Sequence, residues 1–308
     1  MSVHLLVYAG GGDPAPWCEA FARELPNAQV HAWPWNGTPD YAAVWAPTPE
    51  VVAATRGARA IFLLGAGVDH LAPVMGLLRG ARVVRVEDAG MADQMVEYAL
   101  LAALAHQRRW HRYAEQQRAR VWERHPARAR GDVAVGVMGL GVLGGAVARA
   151  LAGFGYAVRG WSRRPRAVPG VATCAGEGAL AGFLAGCEVL VDVLPLTPAT
   201  EGLLRRETLS LLPRGASIVN VARGRHVVEA DLVALLDEGH LSHATLDVFA
   251  EEPLPATSPL WAHPKVTLTP HVAALSLPGR CAAQVASKIA RLEAGEAVSG
   301  EVDLDAGY

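Results

Sequence analysis

Cysteine is scarce in the 308-residue sequence: Cys18, Cys174, Cys187 and Cys281 are the four present, and no two form a CxxC pair. That spacing argues against a zinc site and a disulfide framework, and it suits a reducing compartment, so a cytoplasmic location is expected. A charge excess is also missing. Twenty-eight Lys and Arg against 30 Asp and Glu leave a formal net charge of -2, so the chain as a whole lacks the basic surplus of a nucleic-acid binder. No long hydrophobic run is present. The longest, Val133 to Ala148, is rich in glycine, ends at Arg149 and falls short of the roughly 18 residues that a membrane helix needs. The opening MSVHLLVYAGGGD has no basic segment and no cleavable apolar stretch, so no signal peptide is expected. Aromatic residues make up 6% of a chain that is 51% hydrophobic, which fits α/β cores built from Val, Ile, Leu and Ala.

What is there alternates. VHLLVYA reads as a buried strand and GGGDPAPW as a turn into a helix over Trp17 to Leu25. AAVWA, AIFLLG and RVVRV follow as short strands. MADQMVEYALLAALAHQRRWHRYAEQQ contains no Gly or Pro and carries an apolar helical period through Met95, Tyr98, Leu101 and Leu104, which predicts one long helix at a domain boundary. The polar, basic RARVWERHPARARG reads as a surface linker. A second series of strands begins at DVAVGVMGLG and continues through YAVRGW, EVLVDVL, ASIVNVA, HATLDVF and KVTLTP. EADLVALLDEG is a helix stopped by Gly239, and a last helix covers Gly279 to Glu293. Strands alternating with helices predict mainly parallel sheets, in two Rossmann-like halves.

GLGVLG places Gly139, Gly141 and Gly144 between a hydrophobic strand and an amphipathic helix. The GxGxxG pattern alone is common; in this setting it predicts a dinucleotide site. Gly139 permits the tight turn, Gly141 admits the diphosphate, and Gly144 lets the helix pack on the strand. The helix N-terminus, through Val142 and Leu143, offers unpaired N–H groups to phosphate. An NAD site wants an acidic residue at the end of the next strand. Here stands Ser162, followed by Arg163, Arg164 and Arg166. A hydroxyl and guanidinium forks suit the 2′-phosphate of NADP(H), with NAD(H) as a possible second cofactor; the alternative is an ordinary solvated loop.

Three further pieces lie beyond the carboxyl ends of predicted strands: Arg223 in NVARG, Glu252 in LDVFAEEPLP and His271 in LTPHVAA. With LLGAGVDHL, EDAGMADQMVEYAL, GLGVLG, WSRR, LPLTPAT and the ending EVDLDAGY, the sequence resembles the D-2-hydroxyacid dehydrogenase family over nearly its whole length, most closely the glyoxylate/hydroxypyruvate reductase A branch. The resemblance implies an NADPH-dependent reduction of a small 2-oxo acid to the D-2-hydroxy acid. Arg223 would pair with the substrate carboxylate and polarise the 2-oxo group. His271 would donate the proton, and Glu252 would hold the imidazole and favour its protonated form. Neighbouring Glu251 competes with Glu252 for that role. Ala66 and Gly67 would bind the carboxylate through backbone N–H groups. Asp247 and the backbone of Ala222 would contact the nicotinamide, and Leu194, Pro195 and Thr200 would line the cofactor cleft. Trp45 is either a wall of the substrate pocket or an ordinary packed indole. No metal site is expected.

The resemblance also implies a fold: an α/β chain of two Rossmann-like domains with a cleft between. The flavodoxin-like substrate domain would comprise 1–98 plus 276–308, and the dinucleotide-binding domain 99–275. Hinges near Tyr98 and Ala274 would close the cleft and exclude water. The chain ends soon after its last helix, so no added regulatory domain is expected. GGGDP lacks a following GK[ST] and reads as a turn, not a phosphate loop. Eight arginines between Arg108 and Arg130, with Trp110, Tyr113 and Trp122, would in isolation suggest RNA. Glu115 and Glu123 interrupt them, and the resemblance implies that this arm packs on a second subunit of a homodimer. The remaining alternatives are another 2-hydroxyacid dehydrogenase (a broad 2-oxoacid reductase or one like phosphoglycerate dehydrogenase) and a non-catalytic dinucleotide sensor. A sensor has no need of a proton donor.

Overall fold

A computed structural model describes residues 3–304; Met1, Ser2 and the last four residues of the EVDLDAGY ending lie outside the described residues. Two compact units emerge, 1–91 with 275–308, and 92–274. The first changeover lies at the start of the helix Met91–Gln107 rather than at Tyr98.

The first unit is built on five parallel strands: β1 (Val3–Ala9), β2 (Ala28–Ala32), β3 (Tyr41–Trp45), β4 (Ala60–Leu63) and β5 (Val83–Arg85), in the order β2-β1-β3-β4-β5. This is the flavodoxin-like order. Leu5, Leu6, Val7, Ala42, Ala43, Val44, Phe62 and Leu63 have no exposed surface. Such unbroken apolar runs are what strands covered on both faces require. The helices Ala15–Glu24 and Pro278–Glu293 pack against each other.

The second unit holds seven parallel strands: β6 (Ala134–Met138), β7 (Ala157–Ser162), β8 (Ala172–Ala175), β9 (Val189–Asp192), β10 (Ala216–Asn220), β11 (Leu241–Leu246) and β12 (Val266–Leu268). Their order is β12-β11-β10-β9-β6-β7-β8, the doubly wound dinucleotide-binding order extended by one strand. The strand order reverses between β6 and β9. The crevice beyond the strand ends at such a switch point is where open α/β sheets bind ligands.

The long helix expected over Met91 to Gln117 is two helices, Met91–Gln107 and Trp110–Ala119. Arg109 breaks it with a left-handed backbone (φ +53°). The buried face also differs from the expected stripe. Met95, Ala99, Ala102 and Ala103 pack on Val133, Val135 and Val137, whereas Leu101 is exposed. Small side chains line the centre of this contact, with Tyr98 and Leu100 partly buried beside them. The first helix brings His106 to the sheet, and the break at Arg109 lets His111 return to it. His106 Nδ1 lies 3.0 Å from the Ser217 hydroxyl, and the His111 ring stacks on His243 at 3.3 Å.

These histidines make the second unit acid-sensitive. Burial pushes His106 down to about 4 and His243 to about 3, from an ordinary 6.5. The folded values lie below the unfolded one, so the unfolded chain binds more protons below pH 6.5. Stability is therefore full above 6.5 and falls as pH drops towards 4, at about 1.4 kcal/mol per pH unit for each group. A melting curve series is expected to show Tm falling through this window. His243→Leu is expected to remove one proton's share of the slope, and an unchanged slope would count against the assignment.

Candidate active site

The turn after β6 has three glycines with three different reasons. Gly139 has φ +93°, and a Cβ there would come within 2.6 Å of the Val193 carbonyl oxygen. A Cβ on Gly144 would collide with the Gly139 carbonyl, so only glycine lets this helix lie so close to the strand. At Gly141 nothing lies within 4 Å of a built Cβ. The protein's own packing thus leaves Gly141 unexplained, and a ligand pressed against the backbone explains it. Gly141 is also the N-cap of the helix Val142–Gly153, with no side chain capping the first-turn amides of Val142 and Leu143. Free amides and the helix dipole are what a dinucleotide's diphosphate needs, so the residues present fit such a cofactor.

β7 ends at Ser162, which is buried (6% exposed) and donates its hydroxyl to the Arg164 carbonyl at 2.7 Å. That hydrogen bond turns the loop, and Arg163, Arg164 and Arg166 are all exposed on it. No carboxylate occupies the end of β7 to oppose a phosphate.

On the other side of the switch point, β10, β11 and β12 run side by side, with Asn220, Leu246 and Leu268 in register. Arg223 and His271 each stand three residues beyond that row, in the turns that follow strands two positions apart, whose axes are roughly 10 Å from each other. The Asn220 side chain, fully buried, accepts the Ala222 N–H at 3.1 Å and donates to the Arg223 carbonyl at 3.0 Å. It thereby fixes the turn from which Arg223 projects. The Arg223 Nη1 donates to the Ala222 carbonyl at 2.7 Å. Gly224 lies against the Phe249 backbone, where a Cβ would collide.

His271 Nδ1 is 2.8 Å from Glu252 Oε2, and Glu252 Oε1 accepts the Phe249 N–H at 2.9 Å. The structure therefore selects Glu252, not Glu251, as the partner. With Nδ1 engaged, Nε2 is the nitrogen left to meet a substrate. His271 itself has φ +56°, a left-handed backbone that costs about 1–3 kcal/mol for a residue other than glycine. Asp247 holds it there. Its carboxylate accepts the N–H groups of Val272 and Ala273, both at 2.8 Å, and the Thr269 hydroxyl at 2.5 Å. Its backbone carbonyl accepts the His271 N–H at 2.8 Å. Thr269 spends its proton on Asp247, so Tyr98 donates to Thr269 across 2.6 Å.

A family model described as the D-isomer specific 2-hydroxyacid dehydrogenase NAD-binding domain matches residues 100–273. The chain belongs to the D-isomer specific 2-hydroxyacid dehydrogenases. Solved structures agree. A D-isomer specific 2-hydroxyacid dehydrogenase from Xanthobacter autotrophicus Py2, in complex with NADPH and MES, is 41% identical over 100% of both chains (TM-score 0.95). A family member from Klebsiella pneumoniae 342 is 37% identical over 99% of both chains (TM-score 0.89). The NADPH-dependent glyoxylate/hydroxypyruvate reductase from Sinorhizobium meliloti, in complex with NADP and sulfate, is 34% identical over 100% of both chains (TM-score 0.92).

The other expected residues of this dehydrogenase fall as follows. Leu194 is buried and Pro195 exposed in the loop that leaves β9 at the switch point. Thr200 donates to the Pro195 carbonyl at 2.7 Å and accepts the Thr197 N–H at 2.8 Å, so its hydroxyl staples this loop. In the first unit, Ala66 and Gly67 follow β4 and are partly exposed. Trp45 ends β3, with its ring 4.4 Å from His70 and 36% of the residue exposed. Gly10 and Gly65 flank that indole, each at a place where a Cβ would strike the ring. GGGDP is a turn, and its first glycine is the one held against Trp45. Sequence reasoning missed Asn220, Tyr98, Thr269 and a buried pair, Asp192 with His226. A charged residue ending the fully buried strand β9 was the available signal for the last. Among the described residues no helix is long and apolar enough to cross a membrane, and no cluster of three or more His, Cys, Asp or Glu could hold a metal.

Proposed function

We propose that the dehydrogenase reduces small 2-oxo acids, glyoxylate or hydroxypyruvate, to glycolate or D-glycerate with NADPH. The observation that carries this reading is the hydrogen-bonded His271–Glu252 pair at 2.8 Å, two strands from Arg223 at the carboxyl edge of one sheet. NADPH, when bound, supplies the hydride that reduces C2. Arg223 binds the substrate carboxylate and draws charge towards the 2-oxo oxygen. His271 delivers the proton from Nε2 to that oxygen, while Glu252 orients the ring from the opposite nitrogen. Ala66 and Gly67, through their amides, and Trp45 are the substrate contacts that the reading draws from the first unit. Asp247 and the Ala222 backbone are its nicotinamide contacts, with Leu194, Pro195 and Thr200 beside them. Ser162, Arg163 and Arg164 account for the choice of NADPH, supported by the NADPH and NADP bound to the Xanthobacter and Sinorhizobium proteins. The four free thiols suit a cytoplasmic protein. The exposed Trp110, Tyr113 and Trp122 support a homodimer in which the arm meets a second copy.

A panel of 2-oxo acids, assayed with NADPH and NADH by absorbance, tests the reading. Turnover is expected with glyoxylate and hydroxypyruvate, and a panel without turnover would refute it. Arg163→Ala with Arg164→Ala is expected to raise KM for NADPH about 10- to 100-fold, since hydrogen bonds to a charged group are lost. KM for NADH should stay within about twofold. Equal losses for both cofactors would rule out a 2′-phosphate site here.

A further inference from the structure

We infer that His226 is a positioning residue, a buried imidazolium that ties the cofactor loop 193–200 to the turn carrying Arg223. The side chains of His226 and Asp192 have no exposed surface. His226 Nδ1 is 2.7 Å from Asp192 Oδ2, and its Nε2 is 3.3 Å from the Pro195 carbonyl. A carboxylate and a peptide carbonyl both only accept. A neutral imidazole has one N–H and would satisfy one of them; the protonated ring satisfies both. Burial alone would push the His226 pKa down, but the Asp192 charge and the hydrogen bonds to Asp192 and Pro195 outweigh burial and the opposing Arg223, so it is raised. Asp192, from β9, and Arg223, from the β10 turn, are the charged groups acting on the ring.

Each end of this pair is attached to the site. Asp192 is the last residue of β9, and its Oδ1 accepts the Leu194 N–H at 3.0 Å, shaping the start of the loop. The Pro195 carbonyl takes two donors, His226 Nε2 and the Thr200 hydroxyl, so the ring grips the loop at the point where the loop grips itself. At the other end, His226 closes the single turn Gly224–His226 directly after Arg223. Backbone bonds continue the seam: Gly202 donates to the Arg225 carbonyl and Leu204 to the His226 carbonyl, both at 2.9 Å. The loop assigned to the cofactor and the guanidinium assigned to the substrate are thus set by one buried charge pair. Removing the cation leaves the Asp192 carboxylate buried and unpaired, so the loop must shift to hydrate it.

The inference rests on the proposed dinucleotide site, and its test keeps the two apart. NADPH binding is measured by fluorescence without any 2-oxo acid, at a temperature well below the melting transition of each protein. His226→Gln keeps one donor to Asp192 and loses the tie to Pro195. It is expected to raise the NADPH Kd about tenfold, the loss of one charge-assisted hydrogen bond, and to raise KM for the 2-oxo acid more than it lowers kcat. Nitrogen-15 NMR of the wild-type histidines, with the His226 signals identified by their loss in the variant or in His226→Asn, is expected to show both ring nitrogens protonated at pH 7.5. A neutral ring, or a His226→Gln protein that melts lower yet binds NADPH like wild type, would overturn the inference and leave a merely structural pair. If His226→Gln does not fold, Asp192→Asn decides through the same binding assay and spectrum: its ring should become singly protonated, and retention of two ring protons there would overturn the inference. A wild-type protein that binds NADPH but reduces no 2-oxo acid would refute the proposed substrate while leaving the NADPH arm of this test intact.

Discussion

Arg223→Lys is expected to lower kcat/KM for glyoxylate by about 10²- to 10³-fold, the range for losing one preorganised donor to developing negative charge. The substitution keeps a positive charge, so a loss this large would mark geometry, not charge alone, as what matters. A guanidinium presents donors in a planar fork that matches a carboxylate and still reaches the neighbouring oxo oxygen; an ammonium is a point charge on a flexible stem. The backbone beneath Arg223 is set independently of its side chain, by the buried Asn220 and by Gly224 against Phe249. The variant should therefore fold and bind NADPH with unchanged Kd. Steady-state kinetics with a fluorescence titration check both halves. Activity within tenfold of wild type would remove Arg223 from the chemistry.

Much of the fold was legible because parallel sheets write themselves as apolar runs. β1, β4, β9 and β10 are buried on both faces, and their Val, Ile and Leu cannot be mistaken for loop. The edge strands β2 and β8 were not read. AQVHA and ATCA are short, partly exposed and carry polar residues, so no period distinguishes them from the turns around them. The break at Arg109 left no mark either, since neither Gly nor Pro stands there. Its cause is tertiary: the second helix turns to set His111 on His243.

The site divides in the same way. GLGVLG and the residues just past β10, β11 and β12 could be found because ligand positions follow strand ends, and strand ends follow hydrophobicity. The supporting hydrogen bonds could not. Asp192 and His226 are 34 residues apart, and Tyr98 and Thr269 are 171 apart. Nothing local in either pair announces the other. Asp247 shows the limit best. The family resemblance implies a nicotinamide contact for it, whereas the fold shows its carboxylate taking three donors from the turn that bears His271.

That turn decides how His271, the proposed proton donor, should be tested. His271→Asn is expected to lower kcat for 2-oxo acid reduction by about 10²- to 10⁴-fold, the usual worth of a positioned acid. Asparagine is the variant of choice because the backbone at 271 is left-handed, and Asn tolerates that region better than Ala or Gln. A different replacement would add strain to the turn and mix a folding defect with a chemical one. The Asp247 anchors run to the backbone of 271, 272 and 273, so they survive the change. NADPH affinity is expected to stay within about twofold, which separates lost chemistry from lost binding. Glu252→Gln supplies the comparison. Its single amide oxygen can serve either the ring or the Phe249 N–H, where the carboxylate serves both, and the charge is lost. A smaller loss than that of His271→Asn is expected, because the ring stays in place and only its orientation and charge support weaken. If His271→Asn reduced glyoxylate within tenfold of wild type, the proton would have to come from elsewhere. The pairing of His271 with Glu252 would then serve only to close the turn.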